Sequence, residues 1–309
     1  MAAVTWGEQA VMKIAVEASP TESLISGPIP LWTLITVTYN SSVPLREYWA
    51  GITLPQNVEW VVVDNASNDE SAEVARSLGA RVISLSQNVG FAAANNLGLE
   101  QSQSKFVGFI NPDVRISTTS LIAFAELLSK EEVVVAPQLH NPDGTLQPNA
   151  RGLPTLARKI ANRLPLSKRL RGRYQMFASP GSAVAVPWVT GAAILARRST
   201  MDNLGGWDTH FFLYHEDSDL CLRSWRAGVP VRVIGSEKWV HGWARDTASL
   251  QILPWIREFS SMKKFYTRYP RLLWSFEGAG EERHIRKILK QHHSAELIDW
   301  SVSSAAYTQ

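Results

Sequence analysis

The fold is decided by LWTLITVTYNSS at residues 31–42, a hydrophobic run that gives way abruptly to polar residues. Residues 31–38 are almost all apolar or β-branched, as in a strand that is buried on both faces. A second run, VEWVVV at residues 58–63, leads into the polar sequence DNASND at residues 64–69. The two runs therefore predict two strands of a sheet, each with a polar exit.

Strand-like and helix-like segments alternate along the next part of the chain. Further strand-like runs are RVISL at residues 81–85, FVGFI at residues 106–110 and VVVA at residues 133–136, and helix-like segments occupy residues 70–78, 91–101 and 119–130. This alternation predicts an α/β fold with a mostly parallel central sheet and helices on both faces. Ligands bind such sheets beyond the carboxyl ends of the strands, so the strand exits are where we look for a site.

The composition excludes several classes of protein. A chain of 309 residues with 45% hydrophobic and 19% charged residues is neither disordered, collagen-like nor a disulfide scaffold. The single cysteine, Cys221, cannot form an internal disulfide and is typical of a reducing compartment. No stretch reaches the ~18 apolar residues that span a bilayer. We therefore expect a cytoplasmic protein.

The charge is concentrated in one segment. The formal net charge is +3, but eight Lys and Arg residues and no acids lie between Arg151 and Arg173, and removing these eight takes the charge from +3 to −5. Leucines are interleaved with them at roughly helical spacing. Such a segment indicates either an anionic membrane surface as partner or a solvated loop, and both interpretations stay open. The aromatic and basic stretch Trp255–Arg271 could add a second membrane contact.

Polar residues follow four of the predicted strands: Asn40, Asp64 with Asn65, Asn88, and Asn111 with Asp113. At any one exit a turn or a helix cap explains such residues equally well. Four polar exits on one edge of one sheet favour a shared binding crevice. The chain has neither Gly-x-Gly-x-x-Gly nor a P-loop sequence, so a nucleotide must be held differently. A carboxylate at a strand end, such as Asp64, can accept from the imide of uracil or thymine.

Three further segments carry chemistry. Asp113, delivered by a hydrophobic strand, suits a hard divalent cation bound to a diphosphate, although Asn-Pro-Asp is also a common turn. The sequence GGWDTHFFLYHEDSDLCLR at residues 205–223 places acids at the start of a helix, where Asp219 and Arg223 are spaced as an ion pair. That pairing leaves Asp217 to face the crevice. His241, at the end of a strand-like stretch, is either a ligand or a structural histidine.

In this order, these segments resemble the family 2 glycosyltransferases with the GT-A fold, notably their bacterial rhamnosyltransferase-like branch. The resemblance covers about residues 31–245 and rests on seven motifs: VTYNSS, VVVDNASND, NVGFAAANN, FINPD, GAAILARR, GGWDTHFFLYHEDSDLCLR and WVHG. It implies a Rossmann-like, mostly parallel sheet with an acceptor-side subregion towards the C-terminus.

The resemblance also implies a division of the chain. We expect a leader over residues 1–28, a glycosyltransferase domain over residues 29–250 and a helical tail over residues 251–309. The domain would comprise a nucleotide-sugar-binding half (29–137), a basic insertion (138–187) and an acceptor and catalytic half (188–250).

The resemblance assigns roles to individual residues. It implies that the donor is bound by Thr38, Asn40, Asp64, Asn65, Asn88, Gly90, Phe91, Asn95, Asn96, Asn111 and Asp113. The residues implied for the acceptor side are Gly191, Ala192, Glu216 and Trp243. Asp217 matches the catalytic base, and Asp113 and His241 match metal ligands for Mg²⁺ or Mn²⁺. Asn111 departs from the family pattern, because it replaces the first carboxylate of Asp-x-Asp and removes one negative charge from the metal site.

The implied activity is an inverting transfer of a sugar from a nucleotide-diphosphate sugar to a glycan or lipid-linked acceptor, with L-rhamnose from dTDP-rhamnose as the first expectation. A UDP-galactofuranosyl or UDP-hexosyl transferase and a catalytically silent sugar-nucleotide-binding protein are the alternatives. We expect no nucleic-acid partner, because the basic segment has only Tyr174 and Phe177 nearby for stacking. The expected location is the cytoplasm, peripheral to the inner face of the cell membrane if the basic segment binds lipid.

Overall fold

A computed structural model describes residues 29–163, 174–242 and 252–274. Four parts of the chain lie outside the described residues. They are the predicted leader (1–28), residues 164–173 of the basic run, residues 243–251 with the predicted acceptor-side Trp243, and the end of the predicted tail (275–309).

The first part of the chain alternates strands and helices in the predicted manner. Its elements are β1 (Trp32–Thr38), α1 (Ser42–Trp49), β2 (Val58–Asp64), α2 (Ser71–Ser77), β3 (Arg81–Ser84), α3 (Phe91–Glu100), β4 (Phe106–Ile110), β5 (Val114–Arg115), α4 (Ser120–Lys130) and β6 (Val134–His140). The five strands and three helices predicted here are all present. The sequence analysis missed α1, a short helix with Pro44 in its first turn, where proline is tolerated.

The second part of the chain supplies shorter strands and the C-terminal helices. Its elements are β7 (Ala150–Arg151), α5 (Leu156–Arg163), β8 (Gln175–Met176), β9 (Ala183–Ala185), β10 (Trp188–Val189), β11 (Ala193–Arg197), α6 (Arg198–Asn203), α7 (Glu216–Arg226), β12 (Val231–His241), α8 (Ile252–Arg268) and α9 (Arg271–Trp274).

Among the described residues, the main sheet has nine strands, in the order β3-β2-β1-β4-β11-β6-β12-β5 with β9 alongside β12. Strands β1 to β4 pair in parallel, and β12 runs parallel to β6. β11 lies antiparallel between β4 and β6. The prediction of a mostly parallel sheet is confirmed, and the carboxyl ends of its central strands lie at one edge.

Side chains from the same strand enter cores on opposite faces of the sheet. In β1, Leu34 packs into one hydrophobic cluster and Ile35 into the other, and both are fully buried. This explains the near-continuous hydrophobic runs, because a strand covered on both faces has no polar side. On the Ile35 face α3 approaches closely: a methyl group at Gly98 would lie 2.4 Å from Cγ2 of Ile35.

Strand β12 contains a bulge in its pairing with β6. Ile234 pairs with Pro137 and Lys238 with Gln138, so residues 235–237 have no counterpart in β6. Gly235 is needed at the bulge, since a Cβ there would lie 1.9 Å from the carbonyl oxygen of Ser179. Beyond the bulge the strand continues to His241.

The basic insertion begins in the interior, which corrects the prediction of a surface segment from Arg151 onwards. Arg151 lies in β7, is 7% exposed and has its guanidinium 5.8 Å from the ring centre of Tyr174. Leu153 is also buried in the core. The short sheet β10-β7-β8 holds this part of the segment, so its first residues cannot face a membrane.

Candidate active site

The predicted base-binding residues lie side by side at the ends of β1 and β2. Thr38 and Asp64 are register partners, and Thr38 Oγ1 donates to Asp64 Oδ1 at 3.3 Å. Both residues are buried at the carboxyl ends of neighbouring parallel strands. The prediction that Asp64 accepts from a pyrimidine imide stays a prediction.

Asn40 organises the loop next to this pair. Its backbone has a left-handed φ of 53°, its side-chain Oδ1 accepts from the amide of Asn68 at 2.8 Å, and its amide donates to Ser67 Oγ at 2.9 Å. Asparagine tolerates this conformation better than most residues. Asn40 thus shapes the exit of β1 by holding the loop that follows β2.

Asn65 and Asn88 together fix the turn before α3. Asn65 Oδ1 accepts from the amide of Val89 at 2.9 Å, and Asn65 Nδ2 donates to Asn88 Oδ1 at 3.0 Å. The turn ends at Gly90, whose φ of +89° favours glycine. A Cβ at Gly90 would also lie 2.6 Å from the carbonyl oxygen of Phe212, so this position allows close contact with the loop before α7.

The two asparagines of α3 bind protein backbone. Asn95 Nδ2 donates to the carbonyl of Phe91 at 3.1 Å. Asn96 pairs with Trp207 through both amide atoms, accepting from its N–H and donating to its C=O, each at 2.8 Å. The structure therefore uses these side chains to shape the wall that joins the two halves of the crevice.

Asp113 and His241 meet where β5 pairs with the end of β12, with Asp113 Oδ1 3.3 Å from His241 Nε2. Gln147 orients the imidazole, because its Nε2 donates to Asn141 Oδ1 and to the carbonyl of His241, which turns its Oε1 towards His241 Nδ1 at 2.6 Å. Nδ1 therefore donates to Gln147, which leaves Nε2 to face the Asp113 carboxylate.

This arrangement fits a divalent cation. A carboxylate oxygen and an imidazole nitrogen 3.3 Å apart are both groups that can bind a divalent cation. Asn111, on the same turn, has a buried Oδ1 with no hydrogen-bond partner in the described structure. No group of three or more His, Cys, Asp or Glu side chains gathers in the described parts of the chain, so diphosphate oxygens would have to complete such a site.

The predicted catalytic base lies in the first turn of α7. Asp217 Oδ2 accepts from the amide of Gly191 at 3.1 Å, and Oδ1 accepts from the amide of Ser218 at 2.6 Å. Burial raises the pKa of Asp217, while these two hydrogen bonds act in the opposite direction. The carboxylate is held rigidly against the segment that enters β11.

Glu216, beside Asp217, is also buried. Its Oε2 has no hydrogen-bond partner among the described residues. Burial raises the pKa of Glu216 well above its ordinary value, and the neighbouring charge of Asp217 adds to the effect. The pKa of both adjacent carboxyls is therefore raised, and the amides of Gly191 and Ser218 favour the ionised form of Asp217.

Donor-side and acceptor-side residues converge on Asp217. Gly191 lies within 3.6 Å of both the Cβ of Asp217 and the ring of Phe91, measured from an ideal Cβ position. Phe91 in turn packs edge-on against Trp207, with ring centres 5.6 Å apart. On the other side, the carbonyl of Ala192 accepts from the amide of Asn111 at 2.9 Å. Phe91 and Asn111, predicted for the donor, are thus in contact with Gly191 and Ala192, predicted for the acceptor.

The predicted ion pair in α7 is confirmed and is part of a larger cluster. The Asp219 carboxylate is fully buried and contacts Arg223 Nε at 2.7 Å. It also accepts from Arg268 Nη1 at 2.9 Å and from the hydroxyl of Tyr269 at 2.7 Å. Arg223 extends the cluster to the loop before α7 by donating to the carbonyl of Gly206. We call Asp219, Arg223, Arg268 and Tyr269 the Asp219 cluster.

This cluster corrects the interpretation of Trp255–Arg271 as a membrane contact. Phe265, Tyr266 and Tyr269 are buried in the main core, and Arg268 is engaged by Asp208 and Asp219. These three aromatic residues are therefore not available to a membrane, whereas Phe259 is 55% exposed and the side chain of Trp255 lies outside the described residues. Sequence alone could not separate the two interpretations, because an amphipathic helix looks the same whether its apolar face meets lipid or protein.

Comparison with known proteins supports these observations. The family model described as Glycosyl transferase family 2 matches residues 33–184. The chain carries a glycosyltransferase family 2 domain. It is 28% identical over 242 residues to the N-acetylglucosaminyl-diphospho-decaprenol L-rhamnosyltransferase of Mycobacterium tuberculosis, covering 70% of this chain and 78% of that protein.

Solved structures show that this glycosyltransferase has the GT-A fold. Residues 1–349 of Staphylococcus aureus TarS match with a TM-score of 0.52 at 18% identity, covering 90% of this chain and 75% of that one. The mannosyltransferase PcManGT from Pyrobaculum calidifontis, in complex with GDP-Man and Mn²⁺, matches with a TM-score of 0.52 at 16% identity, covering 96% and 83%. None of the helices in the described ranges is long and apolar enough to cross a membrane.

We expect Asp219→Asn to destabilise the glycosyltransferase by about 3 kcal/mol, because it removes the charge that compensates two arginines at a buried site. Urea unfolding followed by tryptophan fluorescence measures this loss. The control is Arg46→Ala, which breaks an exposed pair with Glu70 and should cost less than about 1 kcal/mol. Equal losses in the two variants would show that the Asp219 cluster does not stabilise the fold.

Proposed function

We propose that this glycosyltransferase moves a hexosyl group, with inversion, from a nucleotide-diphosphate sugar to a hydroxyl of a glycan or polyprenyl-linked cell-envelope acceptor. The observation that carries the proposal is the half-buried Asp217 carboxylate, which accepts from the Gly191 amide between the predicted donor and acceptor residues. An activated hydroxyl and a departing diphosphate need a base on one side and positive charge on the other. The site offers Asp217 for the first and the Asp113–His241 pair, as cation ligands, for the second.

In the proposed reaction Asp217 takes the proton of the acceptor hydroxyl while that oxygen attacks the anomeric carbon. The bond between the anomeric carbon and the diphosphate oxygen breaks, and its electron pair leaves with the nucleoside diphosphate. A single displacement of this kind inverts the anomeric centre. Because burial raises the pKa of Asp217, its carboxylate is a stronger base than an exposed aspartate, and activity is lost as the pH falls through that pKa.

Asp113 and His241 would hold Mg²⁺ or Mn²⁺, which when bound offsets negative charge on the leaving diphosphate. The amide of Asn111 replaces a carboxylate at this site, so the protein itself supplies less negative charge to the metal. The diphosphate then becomes a larger part of the coordination sphere. Metal and donor should therefore bind together more tightly than either does alone.

For the donor we propose dTDP-L-rhamnose, on the support of the rhamnosyltransferase relative and of Asp64 as an acceptor for a thymine imide. UDP-galactofuranose and UDP-hexoses present the same imide and are the alternative donors. A catalytically silent sugar-nucleotide-binding protein would bind the donor without transfer, which the first experiment below distinguishes.

We expect Asp217→Asn to lower kcat by about 10²–10⁴-fold, because it removes the general base. Release of dTDP from dTDP-L-rhamnose, with an N-acetylglucosaminyl-diphospho-polyprenol as acceptor, measures the rate. Donor binding, followed by calorimetry, should survive the substitution. The control Glu126→Gln alters an exposed carboxyl on α4 and should leave both quantities unchanged. Near-normal turnover in Asp217→Asn would refute the assignment.

We expect Asp113→Ala to weaken donor binding and its dependence on metal. A panel of dTDP-, UDP- and GDP-sugars, screened by thermal shift with and without Mg²⁺ or Mn²⁺, identifies the donor and the metal effect together. In the variant the extra stabilisation by metal plus donor should disappear, whereas Glu73→Ala, at an exposed site on α2, should retain it. If Asp113→Ala keeps the full metal-dependent shift, this carboxylate is not a metal ligand.

We also propose that the basic insertion brings the enzyme to an anionic membrane that carries the acceptor. Because Arg151 is buried, it cannot contact the membrane. The proposal therefore concerns the basic residues nearer Arg173. We expect substitution of Lys168, Arg169, Arg171 and Arg173 by Gln to reduce co-sedimentation with phosphatidylglycerol vesicles, at about 1 kcal/mol per residue. Lys130→Gln, an exposed control, should not. If the wild-type protein does not co-sediment with anionic vesicles even at low salt, the proposal is wrong.

A further inference from the structure

One residue of the basic insertion faces the catalytic helix. Lys159, in α5, has its Nζ 2.8 Å from Nε2 of His215, the residue directly before α7. An ammonium group only donates, so this ring nitrogen accepts and the imidazole is neutral. The contact joins parts of the chain that are 56 residues apart.

His215 is itself firmly held. It is 2% exposed, its φ of 75° is left-handed, and its ring centre is 4.7 Å from that of Phe265. Tyr266, the next residue of α8, donates its hydroxyl to the carbonyl of Pro154 at 2.9 Å, which joins α8 to the segment before α5. Helix α8 thus holds both His215, through Phe265, and the segment that leads into α5 and Lys159, through Tyr266.

The groups around Asp217 are mostly acidic or uncharged, so a nearby positive charge affects its protonation. On its own helix Asp217 has the carboxyl of Glu216 beside it, with Asp219 and the buried thiol of Cys221 further along; the β10–β11 connection offers the uncharged amide of Gly191. Lys159 brings a positive charge near these carboxyls, because it contacts His215, the residue directly before Glu216 and two before Asp217. Burial raises the pKa of both Asp217 and Glu216, and the charge of Lys159 lowers both.

We propose that Lys159 is a positioning residue of the active site: its ammonium group anchors His215 at the start of α7 and supplies the positive charge beside which Asp217 works as the base. The inference rests on the proposed role of Asp217 and deepens it. It gives the basic insertion a second purpose, since one of its residues completes the catalytic centre while others remain available to a membrane.

The first test is the pH profile of kcat/KM for transfer from dTDP-L-rhamnose. Without Lys159 the Asp217 carboxyl binds its proton more tightly, so in Lys159→Met the acidic limb should move upward by about one pH unit. Activity should fall about tenfold on the acidic side and approach the wild-type value well above the limb. In Lys159→Arg, which keeps the positive charge, the acidic limb should lie at the wild-type pH. Lys130→Met, at an exposed site on α4, should not shift the limb.

The second test needs no substrate. The protein is labelled with ¹³C-carboxyl aspartate, the Asp217 signal is assigned by its absence in Asp217→Asn, and its titration midpoint is measured by NMR. Lys159→Met should raise that midpoint by about one unit, and Lys159→Gln provides the same test should the methionine variant unfold.

These outcomes separate the two proposals. An unchanged midpoint, or an activity loss that is equal at every pH, would overturn the role of Lys159. A wild-type protein that transfers no sugar would overturn the proposed function, while the NMR titration would still decide whether Lys159 acts on Asp217.

Discussion

The site depends on one buried carboxylate, Asp219. It accepts from Arg223 in its own helix and from Arg268 and Tyr269 in the C-terminal part of the chain. A buried carboxylate without such partners would be strongly unfavourable, so folding α7 requires α8 to be present. This pairing fixes the axis of α7, and with it the direction in which Asp217 points. The C-terminal helices, which lie beyond residues 33–184 of the family match, are thus part of the catalytic framework.

Hydrogen bonds between side chains and backbone also join the two halves of the crevice. The side chain of Asn96 in α3 hydrogen-bonds to both the N–H and the C=O of Trp207. Gly90, which has no side chain, allows the turn before α3 to pack closely against Phe212. The walls of the site are therefore held by polar side chains that bind backbone instead of ligand. Of the described residues predicted to contact the substrates, the ionisable ones are Asp64, Asp113, Glu216, Asp217 and His241.

Much of the central sheet could be predicted from sequence, because strands covered on both faces must be continuously apolar; the run at residues 106–110 matches β4 end to end. The Asp219–Arg223 pair was also predictable, since helical spacing alone brings the two residues together. Contacts between distant segments were not predictable. The charges of Arg151 and Lys159 form part of one basic run, yet one packs on Tyr174 in the core and the other reaches His215. A run of positive charge does not say which members are solvated.

The bulge in β12 bears on how the chain can change in length. Side chains alternate along a strand, so inserting or deleting a single residue among 235–237 would turn the rest of β12 over. His241 would then leave the side of Asp113, with Val240 in its place after an insertion and Gly242 after a deletion. Two-residue changes would keep the imidazole on its present face but move it along the edge. In this short segment the length of the chain is therefore constrained as strictly as its composition.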